Sequence, residues 1–425
     1  MKTLLETLVA RPRPISVGIV GAGDFGAEMV TQIAVMPNIQ VDIIGDTDTE
    51  KARALFIECG VPADKIRRTQ SGAEARRLIA QGYRVVTDIA LEIPLTDVDA
   101  VCDATGNPYF GAEFAHTAIA NGKHVVVVNI ESDVGVGSIL RVAAEKNGVV
   151  YTEADGDQPS LIKGLCDWCG CLGLGVVTAG KWTTFHPEEF RPEVANRVGA
   201  GYWDGSKNQV EMCCVANMTG LPPDVRGMHK PTATLREIAD ILAPRADGGI
   251  LNRSGVVDAI NCATPDGKTM VEHLCGGGVF VVAESAGARF SQVIRGKNVL
   301  HSKDGRRALL FRPYHLVGIE APMSIVKAVL HGVATGAPLR DPVAEVVAIS
   351  KTDLAAGDLL DGIGGRTVRG EVELRKVSDA ERLLPLCMAE GVRINRAVPK
   401  NSVLTLDMLE APGDGFIWKL RAGIA

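Results

Sequence analysis

The chain has 425 residues, of which 46% are hydrophobic, 23% charged and 4% aromatic, and its formal net charge is −6. A globular chain of this length is expected to form two or three domains, and its negative charge with isolated Arg pairs excludes nucleic acid as an expected partner. No apolar run approaches the length of a membrane span, and no signal-peptide core precedes Pro12 and Pro14, so the sequence predicts a cytoplasmic protein without a membrane partner.

Helices and strands alternate over the first 155 residues. An apolar strand predicted at residues 16–20 is followed by a glycine-rich turn and a helix that runs to residue 35. Further strands are predicted at residues 41–45, 100–102, 124–128 and 149–152, and further helices at residues 49–58, 74–81, 113–121 and 138–147. Such alternation with short connections is typical of a parallel sheet covered by helices on both faces. Residues 1–155 are therefore predicted to form a doubly wound Rossmann domain.

The sequence pattern changes twice after this domain. Residues 156–340 mix longer helices with Gly- and Pro-rich loops, and include a predicted strand at 175–178 and a predicted helix at 207–216. We predict an α+β domain there for catalysis, substrate binding and oligomerisation, whose last part is a candidate to return to the Rossmann domain. Residues 341–425 carry short strands at 346–349 and 372–374 among turn signals, which indicates a small β-rich domain. The overall fold class is α/β.

The glycine-rich turn carries a dinucleotide-binding pattern. Gly21, Gly23 and Gly26 follow a strand and open a helix, and the acidic Asp46 ends the next strand. In this pattern the first Gly allows the tight turn, the second lets the backbone approach the pyrophosphate, and the third permits close packing of helix and strand. The sequence therefore predicts a site for NADH or NADPH. The residues expected at this site are Gly21, Gly23, Asp24, Phe25, Gly26, Asp46, Thr105, Gly106, Asn107, Asn129 and Glu131.

The choice between the two cofactors stays open at this point. Asp46 would accept hydrogen bonds from the ribose 2′-hydroxyl of NADH and would repel the 2′-phosphate of NADPH. Cations at Lys51, Arg53, Arg67 or Arg68 could compensate that repulsion.

Lysines and acids in the middle of the chain are candidates for the chemistry, because hydride transfer at a carbonyl carbon needs a donor for the developing alkoxide. We predict Lys181, Lys207, Asp204 and Glu211 as catalytic residues. Lys207 and Glu211 lie one turn apart on the predicted helix, where a solvated surface ion pair is the alternative. Lys181 follows a predicted strand, and the alternative there is a loop cation in solvent.

A second group of residues is predicted to hold a small substrate that carries a phosphate. The acids at residues 153–157 are candidates to contact substrate or a metal ion, or to form a charge cluster before a helix. Arginine is suited to bidentate binding of phosphate or carboxylate. The predicted substrate residues are Asp155, Asp157, Gln158, Lys230, Arg289, Arg312 and His315.

Segments along nearly the whole chain resemble one oxidoreductase family. These segments are residues 17–26, 156–159, 204–207, 312–316, 351–358 and 398–405. Together they look like the SAF-domain-containing, homoserine-dehydrogenase-like oxidoreductases, and the last two are similar to SAF (β-clip-like) domains. Within this family the chain is most similar to the 1-deoxy-D-xylulose 5-phosphate reductoisomerase-like (DRL) enzymes.

The resemblance implies an NADPH-dependent reaction in which a ketose phosphate rearranges to an aldehyde and is then reduced to 2-C-methyl-D-erythritol 4-phosphate, for isoprenoid biosynthesis. It also implies a divalent cation, Mg²⁺ or Mn²⁺, although no residue is assigned as a ligand. Asp46 disagrees with the implied use of NADPH, because an acidic residue at this position favours NADH. Homoserine oxidation is disfavoured, because the lysine expected after the fifth strand is replaced by Asn129 and Glu131.

Two alternatives to the reductoisomerase remain. One is a dehydrogenase of another small hydroxy substrate, which could be homoserine-like, a sugar acid or a polyol derivative. The other is a non-catalytic sensor or assembly protein that binds a dinucleotide. In each case we expect a homodimer or homotetramer, since most soluble proteins of this kind form symmetric oligomers.

Overall fold

The computed structural model describes residues 3–184, 201, 204–264, 268–270, 273 and 276–424. Contacts between residues divide the chain into two compact units, each built from two stretches of sequence. The first unit comprises residues 1–157 and 316–340, and the second comprises residues 158–315 and 341–424. No helix in the described ranges is long and apolar enough to cross a membrane.

A seven-stranded sheet forms the centre of the first unit, with the strand order β3-β4-β2-β1-β5-β6-β7. Every neighbouring pair in it is parallel, which confirms the predicted doubly wound sheet. All six residues of the central strand β1 are buried, as expected for a strand covered on both faces. The strands are β1 (Ile15–Val20), β2 (Ile39–Gly45), β3 (Ile66–Arg68), β4 (Arg84–Thr87), β5 (Ala100–Asp103), β6 (His124–Val127) and β7 (Tyr151–Glu153).

Six helices belong to the first stretch of this unit. They are α1 (Leu4–Val9), α2 (Asp24–Val35), α3 (Thr49–Glu58), α4 (Gly72–Ala80), α5 (Pro108–Ala120) and α6 (Ile130–Lys146). Helix α6 starts eight residues before the predicted start at residue 138. Gly135 and Gly137 lower the helix propensity of its first half, but burial of Val134 and Val136 outweighs this local preference. As a result Asn129 is the N-cap residue of α6, and Glu131 lies in its first turn.

The first stretch of the second unit forms a four-stranded sheet with the order β11-β10-β8-β9. Strand β8 is parallel to β9, whereas β10 is antiparallel to β8 and to β11. The strands are β8 (Gly175–Thr183), β9 (Val256–Asn261), β10 (Gly277–Glu284) and β11 (Arg307–Arg312), and the helices are α7 (Gln158–Cys171), α8 (Ser206–Thr219), α9 (Ile238–Ile241) and α10 (Phe290–Gly296). The predicted helix at 207–216 is confirmed by α8. Strand β8 is longer than the predicted strand at 175–178, so Lys181 lies inside it.

The two faces of this sheet differ. One face carries Trp182, Phe280 and Leu309 into an apolar core shared with residues 233–251. The opposite face carries Lys181, and helices α7 and α8 pack there. The alternation of side chains along each strand therefore directs Lys181 toward the helices, away from the apolar core.

The chain then returns to the first unit through helices α11 (Val317–Glu320) and α12 (Pro322–His331). The Nζ atom of Lys327 on α12 lies 2.5 Å from Oδ2 of Asp155, and the backbone N–H of Glu153 donates to the carbonyl of Gly336 at 2.7 Å. These contacts fasten residues 316–340 to the last strand of the Rossmann sheet.

The C-terminal stretch belongs to the second unit, although the sequence predicts a separate domain for residues 341–425. It contains an antiparallel pair of strands and two short helices: β12 (Ala344–Ser350), β13 (Val368–Leu374), α13 (Arg375–Glu381) and α14 (Phe416–Arg421). Side chains of α8 bind these strands directly. Ser206 Oγ accepts from the backbone N–H of Gly370 at 2.8 Å, and Asn217 Oδ1 accepts from the N–H groups of Val343 and Ala344 at 2.9 Å each. These polar bonds are distributed along the whole helix and were not visible in the sequence pattern.

Candidate active site and nucleotide site

The glycine-rich loop has the geometry that a dinucleotide needs. Gly21 has a φ of +94°, and a Cβ atom there would lie 2.8 Å from the carbonyl oxygen of Ala104. A Cβ atom on Gly26 would lie 1.9 Å from the carbonyl oxygen of Gly21, whereas one on Gly23 would meet nothing within 4 Å. Gly21 and Gly26 are thus required by the fold itself, and Gly23 leaves open space at the N-terminus of α2, where a pyrophosphate is favoured. This loop fits a dinucleotide cofactor.

Asp46 is fixed beside this loop at the end of β2. Its Oδ2 accepts from the backbone N–H of Ala22 at 2.7 Å, and its Oδ1 accepts from that of Asp48 at 2.8 Å. A carboxylate has about four lone-pair positions, so two remain for a ribose hydroxyl.

Most of the cations that could offset Asp46 bind other groups. Arg53 donates to the carbonyl of Ala63 at 3.3 Å, and Arg67 donates to that of Asp64 at 2.8 Å. Arg68 forms an ion pair of 3.1 Å with Asp88. Lys51 is exposed on α3.

A hydrogen-bond network joins the ends of β5 and β6 and brings Thr105, Asn107 and Asn129 together. At its centre is Asp103, whose Oδ1 accepts from Thr105 Oγ1 at 2.7 Å and whose Oδ2 accepts from Asn129 Nδ2 at 2.9 Å. Asn129 Nδ2 also donates to the carbonyl of Asn107 at 2.8 Å. Burial raises the pKa of Asp103, and hydrogen bonds from Thr105 and Asn129 oppose that shift. Gly106, with a φ of +68°, completes the turn.

Asp103 is not among the residues predicted from the sequence, although it is an acidic residue at the end of a predicted strand. Asn129 Oδ1 is buried and has no hydrogen-bond partner within the described ranges, so it is available as an acceptor. The other predicted nucleotide residues lie at helix starts: Asp24 and Phe25 are exposed at the start of α2, and Glu131 is partly buried in α6.

A buried lysine is the main feature of the second unit. Lys181 on β8 is 2% exposed, and its Nζ donates to Gln158 Oε1 at the start of α7 and to Glu211 Oε2 in the middle of α8. Glu211 is itself 3% exposed. The alternatives of a loop cation at Lys181 and of a solvated Lys207–Glu211 pair are therefore wrong: Glu211 is paired with a strand residue inside the protein.

The Lys181 ammonium group has a third N–H donor that is available to a ligand. An ammonium group carries three N–H donors, and only two of those on Lys181 have partners among the residues that the structure describes. A charge removed from water is expensive unless it is paired, and Glu211 provides the pairing here. The arrangement can therefore present a fixed positive donor to an oxygen atom of a ligand.

Two more of the predicted residues lie on the same face of the sheet. Val279 on β10 is directly opposite both Lys181 and Arg312, and residues directly opposite in antiparallel strands share a face. Two strand spacings place Arg312 about 10 Å from Lys181 between backbones. The Arg312 guanidinium stacks over the ring of Tyr314 at 4.4 Å.

His315 also reaches this face. Its Nδ1 lies 2.8 Å from the carbonyl oxygen of Gly277, two residues along β10 from Val279. The structure thus brings together Gln158, Lys181, Glu211, Arg312 and His315, which were predicted from separate sequence segments.

Asp204 has a different environment from the one predicted. Its Oδ2 lies 2.6 Å from Nζ of Lys351, and its Oδ1 accepts from the backbone N–H of Ser206 at 2.8 Å. Lys351 also donates to the carbonyl of Gly365 at 2.6 Å. Asp204 therefore joins the start of α8 to the C-terminal stretch. Lys207, one residue further into α8, is partly buried.

The remaining predicted substrate residues are not brought to the Lys181 cluster within the second unit. Arg289 is exposed at the start of α10. Lys230 has a φ of +51°, its backbone N–H donates to Asp258 Oδ1 at 3.0 Å, and burial lowers the pKa of its ammonium. Asp155 and Asp157 belong to the first unit, where Asp155 is paired with Lys327.

The described residues of either unit, taken by itself, form no group of three His, Cys, Asp or Glu side chains close enough to share a metal ion. The Lys181 ammonium beside Glu211 would also repel a cation at that carboxylate.

Two protein families match the chain. Residues 15–129 match the oxidoreductase family with an NAD-binding Rossmann fold, known as GFO/IDH/MocA, and residues 156–321 match the catalytic domain of the oxidoreductase DRL. The first match contains the glycine-rich loop and the Asp103 network, and the second contains the whole Lys181 cluster. The chain is therefore an NAD(P)-dependent oxidoreductase with a DRL-type catalytic domain.

Solved structures show a more distant similarity, and no curated protein matches the chain. Scyllo-inositol dehydrogenase from Lactobacillus casei is 13% identical, with 76% of this chain and 90% of that chain covered and a TM-score of 0.42. A 3-ketoreductase from Actinomadura kijaniata is 14% identical, with 75% and 90% covered and a TM-score of 0.38. A DOX-P reductoisomerase bound to fosmidomycin and magnesium is 17% identical, with 49% and 58% covered and a TM-score of 0.37.

Proposed function

We propose that this oxidoreductase acts on a small phosphorylated sugar, as a reductoisomerase of the 1-deoxy-D-xylulose 5-phosphate type. The observation that carries the proposal is the buried Lys181–Glu211–Gln158 cluster, which lies inside the segment that matches the DRL catalytic domain. An uncommitted ammonium donor in a buried site suits a reaction in which negative charge develops on a carbonyl oxygen.

Lys181, Glu211, Gln158 and Arg312 each have a separate role in this proposal. The third N–H of Lys181 donates to the substrate carbonyl oxygen and stabilises the negative charge that develops there. Glu211 pairs with the ammonium group, and Gln158 holds it in one orientation. Arg312, on the same face about 10 Å away, is the residue that we propose binds the phosphate in a bidentate manner.

The cofactor supplies the hydride and is held by the glycine-rich loop of the first unit. We propose NADH, because Asp46 is fixed at the end of β2 and three nearby arginines are bound to other groups. This preference also favours the second candidate, a dehydrogenase of another small hydroxy compound, because the reductoisomerases that the sequence resembles use NADPH.

The test is an absorbance assay at 340 nm with the full-length protein, NADH or NADPH, and 1-deoxy-D-xylulose 5-phosphate. The reductoisomerase predicts substrate-dependent oxidation of the cofactor with formation of the rearranged product, measured with and without added Mg²⁺ or Mn²⁺. The second candidate predicts metal-independent NAD reduction with a sugar acid, polyol or homoserine-like substrate and no rearrangement.

Variants assign any turnover to the proposed cluster. Lys181→Met should abolish turnover, whereas Lys163→Met, which removes a lysine from an exposed ion pair of the same unit, should retain it. Tight cofactor binding without turnover on any of these substrates would overturn both candidates in favour of a sensor or assembly protein.

A further inference from the structure

We propose that His315 is the acid–base residue of this site, exchanging a proton with the substrate hydroxyl through its Nε2 atom. This inference rests on the proposed function, since it requires a substrate whose hydroxyl and carbonyl forms interconvert. The sequence predicts His315 as a residue that binds a substrate anion, whereas the geometry of its ring assigns it a different role.

One hydrogen bond determines which ring nitrogen carries the proton. The Nδ1 atom of His315 lies 2.8 Å from the carbonyl oxygen of Gly277. A carbonyl oxygen can only accept, so Nδ1 must be the donor. In the neutral imidazole the other nitrogen, Nε2, is then an unprotonated acceptor. In the part of the chain that the structure describes, no residue donates to it.

The ring lies beside the lysine cluster. A Cβ atom built on Gly277 would come within 2.9 Å of His315 Cε1 and 3.5 Å of Gln158 Nε2, so both side chains lie over this glycine. Gln158 in turn accepts from Lys181. Gly277 is two residues from Val279, the partner of Lys181 in the sheet, which places the two positions about 7 Å apart along the strand. The imidazole and the ammonium thus lie on the same face of the sheet, with Gln158 close to both groups.

Lys181 cannot take the acid–base role of His315. A proton lost from Lys181 would leave the buried carboxylate of Glu211 without its counter-charge, which is strongly unfavourable. Lys181 is therefore suited to donate a hydrogen bond to the substrate oxygen. His315 has no carboxylate partner in the described ranges, and its Nε2 atom is an acceptor that can take up a proton. The proton that accompanies hydride transfer therefore passes through His315.

In the direction of oxidation, the substrate O–H bond breaks and its proton forms a new bond with His315 Nε2. The C–H electron pair leaves as hydride for the oxidised nicotinamide, and the C–O bond becomes a carbonyl. In the direction of reduction, the imidazolium returns the proton to the alkoxide oxygen. Charge and atoms balance in both directions with NAD(P) as the one co-reactant.

The first test needs no substrate. Long-range ¹H–¹⁵N correlation spectra of the full-length protein, assigned with His315→Gln, should show His315 above pH 8 as the Nδ1–H tautomer with an unprotonated Nε2. The reverse tautomer would overturn the proposal. Gly277→Ala should change this pattern, because the added methyl group displaces the ring.

The second test uses the substrate that the absorbance assay identifies. His315→Gln should lower kcat by about 10²–10⁴-fold with a small change in KM, and should remove the acidic limb of the pH–kcat profile in the oxidative direction. His301→Gln is the matched control, because His301 makes a similar bond to a backbone carbonyl, from Nδ1 to Ser302 at 2.7 Å. It should leave kcat and the profile unchanged.

The outcomes separate this inference from the function on which it rests. Turnover that Lys181→Met abolishes and His315→Gln leaves intact keeps the proposed function and overturns the role of His315. Turnover with a retained acidic limb in His315→Gln also overturns it. Absence of turnover in the wild-type protein with every substrate class overturns the proposed function and this role together.

Discussion

Replacing Lys181 by Met should destabilise the second unit strongly. The substitution keeps most of the side-chain volume but leaves the Glu211 carboxylate, 3% exposed, without its counter-charge. Removing one partner of a buried ion pair typically costs about 3–5 kcal/mol. We expect the free energy of unfolding to fall by about that amount. The double variant Lys181→Met/Glu211→Leu should recover most of the loss, because a buried pair replaced by apolar residues of similar volume is often neutral.

Urea denaturation followed by tryptophan fluorescence measures this change, since Trp182 is the residue after Lys181 and is fully buried. Lys163→Met provides the matched control. Lys163 pairs with Asp167 on the same unit, but the Asp167 side chain is 61% exposed, so we expect a change below about 0.5 kcal/mol. A loss of less than about 1 kcal/mol in Lys181→Met, or a double variant as unstable as the single one, would refute the assignment of a buried ion pair.

Three further predictions concern the cofactor loop and a carboxylate of the C-terminal stretch. Gly23→Ala should leave the free energy of unfolding unchanged, because its Cβ would meet nothing within 4 Å, but it should weaken NADH binding about tenfold, as measured by fluorescence titration. Gly26→Ala should lower the free energy of unfolding by about 1–3 kcal/mol, because its Cβ clashes within the loop. Equal effects of the two variants would contradict this prediction. Asp46→Ser should reduce a preference for NADH over NADPH, measured as the ratio of dissociation constants, by about tenfold, and an unchanged ratio would exclude a contact with the ribose. Burial opposes the charge of Asp361, but hydrogen bonds from Thr367 and the backbone outweigh it and lower its pKa below 3.8. The wild type should therefore be more stable than Asp361→Asn at pH 7, and this advantage should diminish as the pH falls below 3.8 through the folded-state pKa. A difference in the free energy of unfolding that is independent of pH would show that the charge is not involved.

Local sequence signals were enough to predict the fold class of the first unit and its nucleotide loop. A buried strand, a glycine-rich turn, a helix and an acidic residue follow one another within residues 15–46, and Gly21 and Gly26 occupy positions that backbone geometry requires. Each of these signals acts between residues close in the chain, so the sequence displays them directly. The sequence did not predict strands β3 and β4 or helix α1, and it placed the start of α6 too late, because burial of Val134 and Val136 outweighs the local effect of two glycines.

In the second unit, the pairing of charged side chains could not be predicted from neighbouring residues in the sequence. Lys181, Glu211 and Gln158 were each candidates, but the sequence paired Glu211 with Lys207, one turn away, because spacing on a helix is the one distance it shows. The burial of α8 between the four-stranded sheet and the C-terminal strands directs Glu211 to Lys181 instead. Lys351 was not selected at all, since nothing near it in sequence indicates Asp204.

The amino-acid sequence by itself thus determined the class of fold, the position of the nucleotide loop and the residue types available for catalysis. Only the tertiary structure decided which lysine keeps a buried counter-charge, which face of the sheet carries the site, and which nitrogen of His315 is left as an acceptor. The physical reason is that ion pairs, desolvation and ring tautomers depend on neighbours that the chain brings together from distant positions, whereas turns and helix starts depend on a few consecutive residues.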